Sequence, residues 1–184
     1  MTFTKTIPVG LLILAAGCTF DAENKRRSWH AATMSRSRDE GRLAPPTQGV
    51  DVNGRLVNLA DHAGKVVLLS FWHSQCPPCR ALFAHEKQLV VKHSSSLFSL
   101  IGINADPDPT RLRATIEKAQ LNYPSIADGP NGPVCATWRV DGFPTLVLID
   151  AAGKIRWRTV GAPDPSELDN RISQLIEEIQ VVTR

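Results

Sequence analysis

A chain of 184 residues with 42% apolar content is near the usual size of one domain, with length to spare for a targeting segment and a tether. The formal charge of +3 arises from cations and anions interspersed along the domain rather than gathered in a stripe, so no nucleic-acid partner is implied. A chain this long buries a core without covalent staples, so its four cysteines do not read as a structural disulfide framework; a lone C-x-x-C with no second pair supplies no zinc site. No metal and no cofactor is implied.

The N-terminus reads as an address. Lys5 gives a short positive start, and Ile7 to Ala16 is apolar apart from Pro8 and Gly10. That run is too short for a bilayer core of about 30 Å but suits the apolar region of a signal peptide, here residues 1–17. The run Leu14-Ala15-Ala16-Gly17-Cys18 resembles a bacterial lipobox, in which the Cys is acylated and becomes the mature N-terminus. An ordinary signal peptidase could also accept the small residues Ala15 and Gly17. On the lipobox reading Cys18 is the lipidation site, and the protein is exported to the periplasmic side of a bacterial membrane and held there by lipid. Residues 19–43 are rich in Ser, Arg, Asp and Glu without sustained periodicity, so residues 18–46 are expected to form a lipid-anchored flexible tether ended by Pro45-Pro46. Such a coil would carry the domain, residues 47–184, about 30 Å from the membrane.

The segment Val50 to Leu59 holds Asn53-Gly54 between short apolar alternations, a hairpin signal. Lys65 to Trp72 is a continuous apolar run after Gly64, as expected of a strand buried on both faces. From Cys79 to His93, Leu82, Phe83, Leu89 and Val90 fall at helical spacing, and Leu97 to Ile103 reads as a second buried strand. A helix is predicted over Pro109 to Gln120, an extended piece over Tyr123 to Ala127 and a short helix over Pro133 to Trp138. Strands at Thr145 to Ile149 and Lys154 to Val160 form a hairpin about Gly153. Pro165 to Val181 closes the chain as an amphipathic helix with Leu168, Ile172, Leu175, Ile176 and Ile179 on one face. This alternation gives an α/β domain: a central sheet flanked by helices on both faces.

The spacing of Cys76 and Cys79 permits a disulfide, because positions i and i+3 in a first helical turn place their Cα atoms about 5.5 Å apart. Cys76 falls where buried strand becomes helix, so the helix N-terminus favours its thiolate and makes it the attacking sulfur. Cys79, one turn inside, would resolve the mixed disulfide. Pro77 and Pro78 are tolerable in a first turn but remove two N–H donors from the thiolate. Stabilising the thiolate is what makes a strong oxidant, so the centre leans towards a reductase or isomerase. Cys135 stands alone and reads as a buried structural thiol; a third redox Cys is the alternative.

The stretch Phe71-Trp72-His73-Ser74-Gln75-Cys76-Pro77-Pro78-Cys79-Arg80 resembles the active site of TlpA/ResA-type thioredoxin-like proteins, and the likeness covers about residues 47–182. The N-terminal hairpin, Gly142-Phe143-Pro144-Thr145, and Leu148-Ile149-Asp150 followed by Gly153-Lys154 lie in the right order. The resemblance implies a thioredoxin-like fold, with a central mixed β-sheet and an added N-terminal β-hairpin. It implies a thiol-disulfide oxidoreductase whose redox disulfide is Cys76 to Cys79, with Pro144 as a cis-proline facing it and Pro144, Phe143 and Trp72 as client-binding residues. The implied partners are exported protein thiols or disulfides as clients, among them the C-x-x-C-H of apocytochromes in cytochrome c maturation, and a membrane-bound electron donor.

This chain also departs from the family. Thioredoxins carry a buried acid six residues before the first Cys, where Ser70 stands here, and Glu86 and His73 are the nearest replacements in sequence. His85 lies out of phase with the site, and Ala84 sits near the place of a helix-kinking Pro. A thiol peroxidase of peroxiredoxin type would need Thr and Pro where this chain has His73 and Leu69. A copper-binding assembly module using Cys76, Cys79 and a His usually spaces its two Cys by three residues rather than two.

Overall fold

The computed structural model describes Met1, residues 39–93 and residues 97–182. The expected signal peptide beyond Met1, the lipidation residue Cys18 and the tether as far as Arg38 lie outside the described residues. Among the described residues no helix is long and apolar enough to cross a membrane.

Strand β1 (Gln48–Val50) and β2 (Leu56–Asn58) pair antiparallel as the expected hairpin. Asp51 makes the turn: its Oδ1 accepts the N–H groups of Asn53 and Arg55 at 2.7 and 2.9 Å, and Gly54 supplies the positive φ of 76°. A short 3-10 turn at Leu59–His62, which the sequence pattern does not signal, joins the hairpin to the sheet, with the Asn58 side chain accepting the N–H of Ala60.

The central sheet has the order β5-β4-β3-β6-β7, formed by β3 (Val66–Trp72), β4 (Phe98–Asn104), β5 (Ser125–Ala127), β6 (Thr145–Ile149) and β7 (Ile155–Val160). The β3, β4 and β5 strands run parallel, whereas β6 pairs antiparallel with both β3 and β7, so the sheet is mixed. All seven residues of β3 are buried, which is why this strand is central. Burying each large apolar side chain contributes about 1.5–3 kcal/mol, so an unbroken apolar run gains most between two covered faces.

On one face Val66 and Leu68 pack with Leu82 and Leu89 of helix α1 (Pro77–Lys92) and with Leu168, Ile172, Leu175 and Ile176 of α4 (Pro165–Val182). On the other face Val67, Leu69 and Phe71 pack with Val134, Cys135 and Trp138, in and just after α3 (Pro133–Thr137), and with Val57 of the hairpin. Helix α2 (Pro109–Ala119) begins at Asp108, whose carboxylate accepts the Thr110 N–H at 2.8 Å, and it sends Leu112 into the cluster beneath the two cysteines.

The end of the expected tether differs from its composition. Residues 39–46 lie along the β6–β7 hairpin: Leu43 bridges Lys154, the Gly41 and Ala44 N–H groups reach the Ile155 and Gly153 carbonyls, and Ile155 N–H reaches Arg42. Asp39 pairs with Arg139 at 3.1 Å and Arg158 at 3.5 Å. Backbone pairing and ion pairs thus hold to the sheet a segment that carries no periodic signal.

Candidate active site

Cys76 and Cys79 form a disulfide at the junction of β3 and α1, with Cα atoms 5.3 Å apart. Cys76 is the N-cap of α1, and its Sγ accepts the Cys79 N–H at 3.1 Å. Pro77 and Pro78 occupy the first two helical positions and bring no N–H, so Cys79 is the first residue of the helix able to donate to that sulfur. Both cysteines are buried, Cys76 at 5% exposure and Cys79 at 1%.

The loop ahead of Cys76 is braced from β4. The Asp106 carboxylate accepts the Ser74 N–H at 3.0 Å, the Ser74 hydroxyl at 2.8 Å and the Asn104 side-chain amide at 2.9 Å; Asn104 Oδ1 accepts the Asp106 N–H. All three residues are buried. Sequence reasoning did not find Asn104 and Asp106. Their position at the carboxyl end of a parallel strand, where open α/β sheets gather functional groups, was the available signal.

The Phe143-Pro144 bond is cis, as the resemblance implies. The Pro144 carbonyl already accepts the Gly161 N–H at 2.7 Å, and proline has no N–H. Phe143, by contrast, makes no backbone hydrogen bond among the described residues. The His73 ring meets Phe143 edge-on, with centroids 5.1 Å apart. Both line a cleft of about 500 Å³ shared with Gln75, Asp106, Arg139 and Asp141.

Trp72, expected among the client-binding residues, is buried instead of lying at the surface. It is 0% exposed and packs beneath the disulfide against Cys76, Cys79, Phe83 and Leu112, because β3 is covered on both faces. Its ring meets Phe83 in a T-shaped contact at 5.0 Å.

The acid missing from position 70 returns from the helix. Glu86, 1% exposed on α1, accepts the Ser70 hydroxyl at 2.6 Å and the Tyr123 hydroxyl at 2.5 Å. Burial pushes its pKa up, opposed by those two hydrogen bonds. Burial also pushes Tyr123 up, with the Glu86 charge adding to it, so the phenol stays a donor. Cys79 and Glu86 are seven residues apart, about two turns and on one helix face, and helical side chains tilt towards the N-terminus. Both Glu86 oxygens are taken up by the Ser70 and Tyr123 hydroxyls. Ser70 pairs across the sheet with Gly102, and Gly102 with Ser125. A Cβ at Gly102 would lie 2.3 Å from Ser125 Oγ and 3.0 Å from Trp72 Nε1, so only glycine fits this row.

Other candidates lie away from the chemistry. His85 faces α4 and reaches Asp169 at 3.1 Å. Cys135 is a free, buried thiol, and burial with the Asp128 carboxylate pushes it up to about 12. Asp128 also accepts the N–H groups of Val134 and Cys135 and so starts α3. No proline interrupts α1, which runs unbroken past Ala84.

A chain of this architecture, with a strand-end disulfide at a helix N-terminus, finds its likenesses among redox proteins. The Redoxin family model matches residues 39–172. The thiol-disulfide oxidoreductase ResA of Bacillus thuringiensis subsp. konkukian (strain 97-27) is 26% identical over 143 residues, 78% of this chain and 82% of the relative. A Chlorobium tepidum structure assigned as the thiol:disulfide interchange protein DsbE superposes with a TM-score of 0.71 and 30% identity over 76% of this chain and 99% of its own. One assigned as a protein disulfide isomerase, from Bacteroides thetaiotaomicron, gives 0.68 and 30% over 75% and 90%.

Proposed function

The chain belongs to the Redoxin family as a thiol-disulfide oxidoreductase of TlpA/ResA type, and from that premise we propose that it is a membrane-tethered reductase or isomerase of exported proteins. Acylated Cys18 is its anchor, and residues between Cys18 and Arg38 are the tether, with a root-mean-square reach of about 25 Å. Apocytochromes with reducible C-x-x-C-H pairs are among the clients, and a membrane-bound dithiol is the electron donor.

In the working direction the reduced Cys76 thiolate attacks one sulfur of a client disulfide. A Cys76-to-client S–S bond forms, the client disulfide breaks, and the displaced client thiolate takes a proton from solvent. Cys79 then gives up its proton, for which ionised Glu86 is the acceptor along the helix face, and the new thiolate attacks Cys76 Sγ. The mixed disulfide breaks, the second client thiol leaves reduced, and Cys76 and Cys79 are left oxidised. Two electrons have passed to the client, and the donor dithiol restores them.

The observation that carries this reading is the inequality of the two sulfurs: Cys76 at the helix cap with one N–H donor and 5% exposure, Cys79 within the first turn at 1%. Two prolines where donors would otherwise sit limit thiolate stabilisation, which favours the reducing direction. The test is insulin reduction with single-cysteine variants. Cys79→Ser should stall as a covalent mixed disulfide with the client, whereas Cys76→Ser should neither turn over nor trap; insulin reduction that survives Cys79→Ser would count against the scheme.

A further inference from the structure

A groove of about 640 Å³ runs between α1 and α2. Arg80 and Lys87 line it from α1, and Arg111 and Lys118 from α2; its lining includes no carboxylate. Arg80, Arg111 and Lys118 are exposed and make no ion pair within 4.0 Å among the described residues, while Lys87 donates to the Ala119 carbonyl at 2.7 Å. Arg111 shares its field with Asp108, whose carboxyl is held down chiefly by the Thr110 N–H it caps and last by Arg111. Phe83 and Ala114 give the groove an apolar lining, and Ser74 and Arg80 close the end nearest the cysteines.

Four cations around an apolar strip are costly to gather on a surface without a counter-charge, because like charges repel and each must stay hydrated. The same arrangement is complementary to a peptide that alternates carboxylates with apolar side chains. Arg80 follows Cys79 directly in α1, and Phe83, one turn on, packs in the cluster that holds both cysteines, so the groove begins at the redox turn of the helix. The cleft lined by His73 and Phe143 contains Asp106 and Asp141 beside Arg139, so the two concavities differ in charge.

We propose that the α1–α2 groove is a docking surface for an acidic, amphipathic segment of a partner protein that exchanges electrons with Cys76 and Cys79. The proposal rests on the exchange reading for its meaning, but its binding step can be measured without any thiol chemistry. A fluorescent, cysteine-free 12-residue peptide alternating Glu and Leu is titrated into oxidised protein, with an otherwise identical Lys-and-Leu peptide and phosphatidylglycerol vesicles in parallel. The acidic peptide should bind, the basic one should not, and the affinity should fall with salt. Lys118→Glu combined with Arg111→Glu, both exposed and remote from the cysteines, should weaken binding about tenfold, as expected for reversing two surface charges. The same double variant should reduce the neutral substrate hydroxyethyl disulfide at the wild-type rate. Equal binding of the two peptides, unchanged affinity in the double variant, or charge-dependent binding of the vesicles alone would overturn the proposal. A protein that binds the acidic peptide but fails to reduce hydroxyethyl disulfide would instead overturn the exchange scheme and leave the docking surface standing.

Discussion

Replacing Glu86 separates its packing from its charge. In Glu86→Ala the hydroxyls of Ser70 and Tyr123, 1% and 7% exposed, lose their acceptor. Each buried orphan costs about 1–3 kcal/mol, and the missing methylene adds about 0.8, so the loss should be about 3–7 kcal/mol. Against a total of about 5–15 kcal/mol this is a large fraction, worth about 10–20 °C in Tm. Glu86→Gln keeps the side-chain volume, an acceptor for Ser70 and a polar group for Tyr123, so it should stay within about 1 kcal/mol of wild type near pH 5. Its signature is the pH dependence. Folded Glu86 has a raised pKa and holds its proton to higher pH than the unfolded chain does. The native state therefore binds more protons between the ordinary and the raised value, and stability falls as pH rises through that window, by about 1.4 kcal/mol per unit of separation. Glu86→Gln abolishes that fall and should become the more stable protein at pH 8. Urea denaturation of the three proteins from pH 4 to 9 measures this. Parallel wild-type and Gln curves, or an Ala variant within about 1 kcal/mol of wild type, would refute the assignment of Glu86 as a buried, proton-holding group.

Asp106→Ala removes the acceptor of the Ser74 N–H, the Ser74 hydroxyl and the Asn104 amide, so it should cost about 2–4 kcal/mol and slow client reduction by loosening the loop before Cys76; full stability and wild-type kcat/KM in the same preparation would contradict that. Cys135, with its thiol pushed up to about 12, should resist iodoacetamide at pH 8 in the folded, oxidised protein and react only after unfolding, as read by intact mass.

The order of elements was legible because each buried strand is an apolar run and each helix carries its spacing or its opening proline. The C-x-x-C at a strand-to-helix junction was legible for the same reason: local sequence determines which sulfur caps the helix. Contacts set by tertiary register were not. Ser70 could be seen to lack an acid, but that Glu86 reaches it depends on how α1 crosses β3, sixteen residues along the chain. Trp72 lies next to the motif in sequence, yet the covering of both sheet faces buries it. Residues 39–46 look like tether in composition because backbone pairing with the Gly153–Ile155 segment needs no periodic side chains. Asp106 braces Ser74 from thirty-two residues away, a contact that only the parallel pairing of β3 and β4 creates.

The reduction potential of the Cys76/Cys79 pair, taken from its equilibrium with glutathione and dithiothreitol buffers and resolved by mass, tests the direction of electron flow most directly. A two-proline centre with one N–H on the attacking sulfur should poise near the thioredoxin value of about −270 mV; a value near the strongly oxidising DsbA, about −120 mV, would contradict the reducing role.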